Sequence, residues 1–312
     1  MREIILTAAD ANRRLDKYLA QYFNNVPRTL LYKMLRKKNI KLNGQKADGH
    51  EITQAGDCLT FYLSEDTING WMSERAVEAS AVLPDIVYED DFMLMLNKPA
   101  GLLTHTGEDT LLRQVLYYLK QTGAYDNSPG ATFTPALCNR LDRNTSGLVT
   151  CGKTLAALQV LNAIFAERRA DKEYLAVARG KIDGSDILDG YLYKNEHTNK
   201  VYVSQNKEHA DSVPIQTAYA VIAHGHGHTL LKIHPITGRS HQIRAQMAAI
   251  GHPLAGDVKY GGKKTPYAPA QLLHCCHLSF KETDGLPYAA GQFWQAPPPD
   301  GFTLCMKEWL NL

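Results

Sequence analysis

Asn139 to Leu148 reads NRLDRNTSGL. One carboxylate, Asp142, stands between Arg140 and Arg143, and three small residues, Thr145, Ser146 and Gly147, follow it. A buried strand would not want that charge, and a surface loop would not need the arginines. In an extended segment, side chains two apart point the same way, so Arg140 and Asp142 would share a face. Neighbouring cations favour the ionised carboxylate. Such an acid is a poor proton donor but a good nucleophile or charge stabiliser. The small residues let the backbone approach closely or bond to it. An Asp that merely caps a turn through an arginine pair fits the decapeptide equally well, so the rest of the chain must decide.

Working outward, IVYEDDFMLMLNKPAG places two strand-like runs around an Asp90-Asp91 turn, and a helical stretch is expected near 109–121. After the decapeptide, Leu155, Leu158, Leu161 and Phe165 fall at helical spacing. YLAVARG, GYLYK, KVYVSQ, IQTAYAVIA, TLLKIH and LLHCCHLSF then read as strands punctuated by Gly, Asp and Asn. SHQIRAQMAAIG reads as a helix capped by Ser240 and stopped by Gly251 and Pro253. Strands outnumber helices without strict alternation, which predicts an α+β class with a mixed sheet.

The amino-terminal part differs in charge. The chain's formal net charge is only +2, but residues 1–64 hold eleven Lys and Arg against six Asp and Glu, whereas the remainder holds 23 against 26. Positive charge concentrated at one end is the footprint of a polyanion-binding module. Leu15, Tyr18, Leu19 and Tyr22 form one helical stripe, and Leu30, Leu31, Met34 and Leu35 form a second behind Pro27. Arg28, Lys33, Arg36, Lys37 and Lys38 cover most of the second helix's remaining surface. IKLNGQKA reads as a hairpin turning at Asn43-Gly44, and DCLTFYL as a further strand. Residues 65–84 show no sustained period and are expected to be a linker. The division expected is therefore 1–64, a linker at 65–84, and 85–312.

Composition excludes several classes. The hydrophobic fraction of 44% suits a chain that buries a core. No apolar run is long enough for a membrane helix, and the first residues lack a secretion signal, so a cytoplasmic protein is expected. Six scattered cysteines read as reduced thiols. His274-Cys275-Cys276-His277 cannot converge on one zinc from a strand whose side chains alternate, and His224, His226 and His228 sit in a glycine-rich hairpin loop. No metal site, phosphate loop or dinucleotide fingerprint is expected.

Three pieces carry candidate chemistry: NRLDRNTSGL, KEYLAVARG with Tyr174, and ITGRSHQIRAQMAAIGHPLAGDVKYGG with Arg239 and Arg244. Tyr174 suits core packing, or an aromatic face on which an extruded base stacks. Arg239 and Arg244 suit a carboxylate or phosphate, or a solvated helix face. With NKPAGLLTH at 97–105 and LLHCCHLSF at 272–280, these pieces stand in an order that closely resembles the RluA-type pseudouridine synthases. RRLDKYL at 13–19, PR at 27–28, IKLNG at 40–44 and GD at 56–57 resemble the RNA-binding domain named after ribosomal protein S-four. The combination looks most like the RluC-type members that act on large-subunit ribosomal RNA.

The resemblance implies a pseudouridine synthase fold: a mainly antiparallel central sheet, flanking helices and a central cleft. It implies isomerisation of uridine to pseudouridine in RNA, with 23S ribosomal RNA the expected partner and transfer RNA, or an idle RNA-binding or assembly role, as alternatives. Asp142 matches the family's essential aspartate, Tyr174 the aromatic residue against the base and Arg244 the aspartate's basic partner. Arg140 matches an arginine that helps extrude the uridine, and Leu141 a pocket wall. No cofactor is implied, and a monomer is expected. The chain departs from the pattern at Asn139, Asn144 and Gln246, which puts substrate contacts near the aspartate in question.

Overall fold

In a computed structural model, which describes residues 1–195, 198, 200–281, 283 and 285–312, the chain divides into two units. One comprises Met1–Leu83, Val115–Ala136 and Lys153–Ala156. The other comprises Pro84–Gln114, Leu137–Gly152 and Ala157–Leu312.

In the first unit, helix Leu15–Tyr22 buries Leu15, Tyr18, Leu19 and Tyr22, the four positions its spacing selects. Helix Arg28–Arg36 buries Leu31 and Leu35, with Leu30 and Met34 half-buried. Arg28, Lys33, Arg36, Lys37 and Lys38 are all exposed. Both helices pack on a four-stranded sheet ordered Arg2–Ile5, Cys58–Phe61, Ile40–Leu42, Gln45–Lys46. Its hairpin turns at Asn43 and Gly44, whose φ values of 50° and 72° are those of a twist-matching two-residue turn.

Two expectations change here. Arg2–Ile5 is a strand that the sequence reading left unassigned. The stretch expected to be a linker begins with a helix, Glu65–Gly70, capped by the Ser64 side chain. Ile68 from that helix is fully buried in the unit's core, and Trp71 meets Phe23 edge-to-face at 5.4 Å. Six residues are too short to show a period, but one buried Ile and one Trp anchor them.

The second unit is built on a mixed sheet. Its strands run in the order Lys200–Ser204, Ser185–Asn195, Val213–Gly225, His228–Pro235, Ala170–Arg179, Leu273–Phe280, Ser146–Gly152, Met93–Lys98, Ile86–Glu89. Within the sheet, Ser146–Gly152 joins Leu273–Phe280 in parallel, at Ser146 opposite His274 and Gly147 opposite Cys275. Gly147 makes that join possible. Its φ is +114°, and a Cβ there would lie 2.2 Å from the Cys275 carbonyl oxygen. No other residue fits, which gives the TSG of the opening stretch a steric reason.

Helix Leu155–Ala166 buries Ala157, Leu161 and Ile164, so its inward face is rotated from the stripe expected at 155, 158, 161 and 165. The segment is apolar on most sides, and packing selects the face. No described helix is long and apolar enough to cross a membrane.

Candidate active site

The segment 140–145 is not a strand; it is a loop leading into Ser146–Gly152, turned by a Thr145 N–H that bonds the Asp142 carbonyl at 3.0 Å. Several bonds hold it. Thr104 Oγ1 donates to the Leu141 carbonyl at 2.9 Å. Arg143 Nε donates to the Gly101 carbonyl at 3.0 Å, and Gly101 N–H returns a bond to Arg143. Lys98, fully buried, gives its ammonium to the carbonyls of Pro99, Leu102 and Arg143 at 2.8, 2.8 and 3.0 Å. Burial pulls that ammonium down to about 7 while the Asp142 charge opposes the shift. Three carbonyl acceptors need three N–H donors, which only the charged form supplies. Asp142 thus projects from a loop pinned on both sides.

Its cation is not a neighbour in sequence. Arg143 is spent on Gly101, and Arg140, exposed, has no protein acceptor among the described residues. Instead Arg244, 102 residues away, places Nη1 at 3.1 Å from Asp142 Oδ2. Arg244 rides on helix Gln242–Ala249, which starts one residue later than expected. His241, not Ser240, is its cap, in the left-handed region at φ 58°. The Gln242 side chain decides this. It accepts from Arg239 N–H and Thr237 Oγ1 at 3.0 and 2.8 Å, and donates to the Gln216 carbonyl and Thr217 Oγ1.

Arg244 Nε and Nη2 both bind Asp257, at 2.6 and 2.8 Å, and its guanidinium lies 5.0 Å from the Tyr260 ring centre. Burial works against the Arg244 charge, yet the bonds to Asp257 and Asp142 outweigh it and hold its pKa above the ordinary value. Tyr260 Oη accepts from Val201 N–H at 3.0 Å and lies in hydrogen-bond contact with His241 Nδ1 at 2.8 Å. The other imidazole nitrogen, Nε2, faces Asp142 Oδ2 at 3.8 Å. Arg244 and His241 both address Oδ2, and Oδ1 takes no protein donor among the described residues.

Tyr174, buried on strand Ala170–Arg179, lies opposite Cys275. Burial, then the Cys275 thiol and the Asp142 charge, push its hydroxyl well above the ordinary tyrosine value. At neutral pH it is a donor, not a phenolate. Arg140, Leu141, Asp142, Tyr174, Arg239 and Arg244 all line one open cleft of about 640 Å³. Leu141, Pro235, Ile243 and Leu273 supply its apolar walls. Arg28, Lys33, Arg36, Lys37 and Lys38 belong to the other unit.

The structure adds residues that sequence reading passed over: Asp257, Lys98, His241 and Lys172. Each lies inside a quoted motif, but nothing local marks Asp257 as the anchor of an arginine on another element. The departures from the family pattern also find places. Asn139 clamps Leu148 and Thr150 by backbone bonds at 3.2 and 2.8 Å. Gln246, 1% exposed, joins Thr217 to the Leu188 carbonyl. Gln246 lies outside the residues that line the cleft.

The sequence profile described as RNA pseudouridylate synthase matches residues 92–249. The ribosomal large subunit pseudouridine synthase C of Vibrio cholerae is 30% identical over 86% of this chain and 85% of its own. That of Pasteurella multocida is 31% identical over 90% and 86%, and that of Escherichia coli K12 30% over 99% and 96%. Among solved structures, human RNA pseudouridylate synthase domain containing 1 aligns with a TM-score of 0.57 at 25% identity, covering 72% of this chain and 86% of that one. Human RNA pseudouridylate synthase domain containing 4 shares the fold, with a TM-score of 0.57 at 20% identity, covering 71% and 91%.

Proposed function

The chain belongs to the RNA pseudouridylate synthase family and is an isomerase, and from that premise we propose that it converts uridines of large-subunit ribosomal RNA to pseudouridine with Asp142 as the reacting group. The observation that carries this reading is the convergence of Asp142, Tyr174 and Arg244, from three separate segments, on one cleft. The substrate assignment follows the named activity of relatives that match most of the chain.

The reaction breaks the N1–C1′ bond, turns the base and joins C5 to C1′. A proton leaves C5 and one returns to N1, so the atoms balance without an oxidant or a donor. The requirements are a base taken out of its stack, an anion beside the sugar, and exclusion of water that would hydrolyse an intermediate. Arg244 is fixed by Asp257, so it orients Asp142 through Oδ2 and leaves Oδ1 to face the nucleotide. The protonated Tyr174 supplies a ring for the base and a hydroxyl that donates, a poor fit to a role as the base at C5. Arg140, unpaired at the rim, is placed to take the space or the phosphate of the extruded nucleotide.

Two measurements test the reading. Carbodiimide mapping of RNA from cells with and without the gene should lose specific large-subunit rRNA stops in the deletion strain. Loss confined to transfer RNA would overturn the substrate. Asp142→Asn should abolish turnover while RNA binding persists, and a variant retaining substantial turnover would overturn Asp142's role.

A further inference from the structure

A second cleft opens beside the first and shares a wall with it. Arg140, Lys172, Pro235, Gly238 and Arg239 line both. The second cleft, an open space of about 1,210 Å³, extends to Arg168 and Lys281. Five cations line it, Arg140, Arg168, Lys172, Arg239 and Lys281, against one carboxylate, Asp171. Among the described residues, the side chains of Arg140, Arg168, Lys172 and Arg239 have no protein acceptor. Cations gathered without acceptors around a concave surface are electrostatically incomplete until an anion arrives.

Asp171 does not cancel them. Its Oδ1 holds Lys281 Nζ at 3.1 Å and faces His234 Nε2 at 3.8 Å, which keeps Lys281 on the cleft wall. Lys172 sits at the junction. It is two residues before Tyr174 on the same strand face, and its Nζ would be 3.4 Å from a Cβ at Gly238. Arg168 takes the left-handed conformation at φ 60° just after helix Leu155–Ala166.

A third opening, which shares Arg140, Asp142, His241 and Arg244 with the reaction cleft, is different. It is lined by four cations, Arg140, Arg143, Arg244 and Lys259, against Asp142 and Asp257. Arg244 is already committed to both acids, and Arg143 to a carbonyl. Positive charge is therefore in larger excess on the flank of the second cleft, five cations against one carboxylate compared with four against two.

The geometry points to a sugar–phosphate subsite in this second cleft, where Arg168 and Lys281 hold phosphates of the single strand that adjoins the flipped nucleotide on one side only. The inference rests on the RNA-modifying reading above and adds a direction to it: the strand leaves past Lys172 toward Arg168 and Lys281. Guanidinium and ammonium groups read phosphate without reading sequence, so the subsite contributes affinity and register, not base choice.

The test is a double variant, Arg168→Asn with Lys281→Gln. Both side chains are exposed, and Asn tolerates the left-handed backbone at 168. With an unmodified transcript of large-subunit rRNA, KM should rise about tenfold with kcat within about twofold of wild type. The slope of log Kd against log salt should flatten by about 1.4, near 0.7 for each lost single-strand phosphate contact. Shortening the transcript on one side of the target uridine should erase the difference between variant and wild type. Shortening the other side should leave it. Unchanged KM and salt slope, a loss in kcat alone, or equal effects of both truncations would each overturn the subsite. The binding slopes decide it even if wild type makes no pseudouridine in that transcript, a result that would sink the substrate assignment instead.

Discussion

Arg244 gives two of its nitrogens to Asp257, at 2.6 and 2.8 Å, and the more distant contact of its third, at 3.1 Å, to Asp142. Asp257 is therefore the structural partner, and Asp142 the one that can afford to engage something else. The side-chain exposures agree: 1% for Asp257, 8% for Arg244 and 19% for Asp142.

Removing the better-buried acid should cost the most stability. Asp257→Ala leaves a buried guanidinium with one remote partner, and such a loss destabilises by about 3–5 kcal/mol. Asp142→Asn, at a partly wet site with one bond, should lower stability by about 1 kcal/mol or less. Urea midpoints of the two variants check the order. Equal midpoints would mean that Asp257 does not anchor the arginine.

Acid should weaken the fold in a histidine window. His274, fully buried, donates Nε2–H to the Ala296 carbonyl at 2.9 Å and accepts Ser146 Oγ at Nδ1, also at 2.9 Å. Burial, against the bond to Ala296, lowers its pKa below the ordinary 6.5, and burial does the same for His241 and His228. The unfolded imidazole then takes a proton before the folded one. Stability is complete above about pH 6.5 and falls as pH drops through the folded values, by up to about 1.4 kcal/mol per pH unit for each histidine. Urea midpoints at pH 7.5 and 5.5 should differ, and His274→Asn should narrow the gap. A profile flat to pH 5 would contradict the buried neutral imidazole.

The basic helix of the first unit offers a salt test. Truncation at residue 64 would strip Ile68 and Trp71 from that unit's core, so charge replacement is the cleaner experiment. Lys33→Gln, Arg36→Gln and Lys37→Gln, with Lys38→Asn at its φ of 61°, should leave the urea midpoint unchanged. The salt slope of RNA binding should flatten by about 0.7–0.9 for each phosphate contact removed. An unaltered slope would remove this helix from the RNA-binding surface.

Short-range pattern carried much of the architecture. Leu15, Tyr18, Leu19 and Tyr22 all face inward as their spacing requires, and the Asn43-Gly44 turn and the strands between residues 170 and 280 lie where alternation and punctuation put them. Pattern failed where one side chain overrode it: Gln242 moved the helix start past Ser240, and Ile68 turned an aperiodic linker into a helix end.

The sequence by itself determined which groups are present and in what motif order, and periodicity told which faces are apolar, because both depend on residues a few positions apart. Only the tertiary structure decided who pairs with whom. Asp142 is served by Arg244 rather than by Arg140 or Arg143, and Arg244 is held by Asp257, because a parallel strand join at Gly147 and a buried helix bring segments a hundred residues apart within hydrogen-bond reach. Electrostatic partnership falls off with distance in space, and distance along the chain carries no information about it.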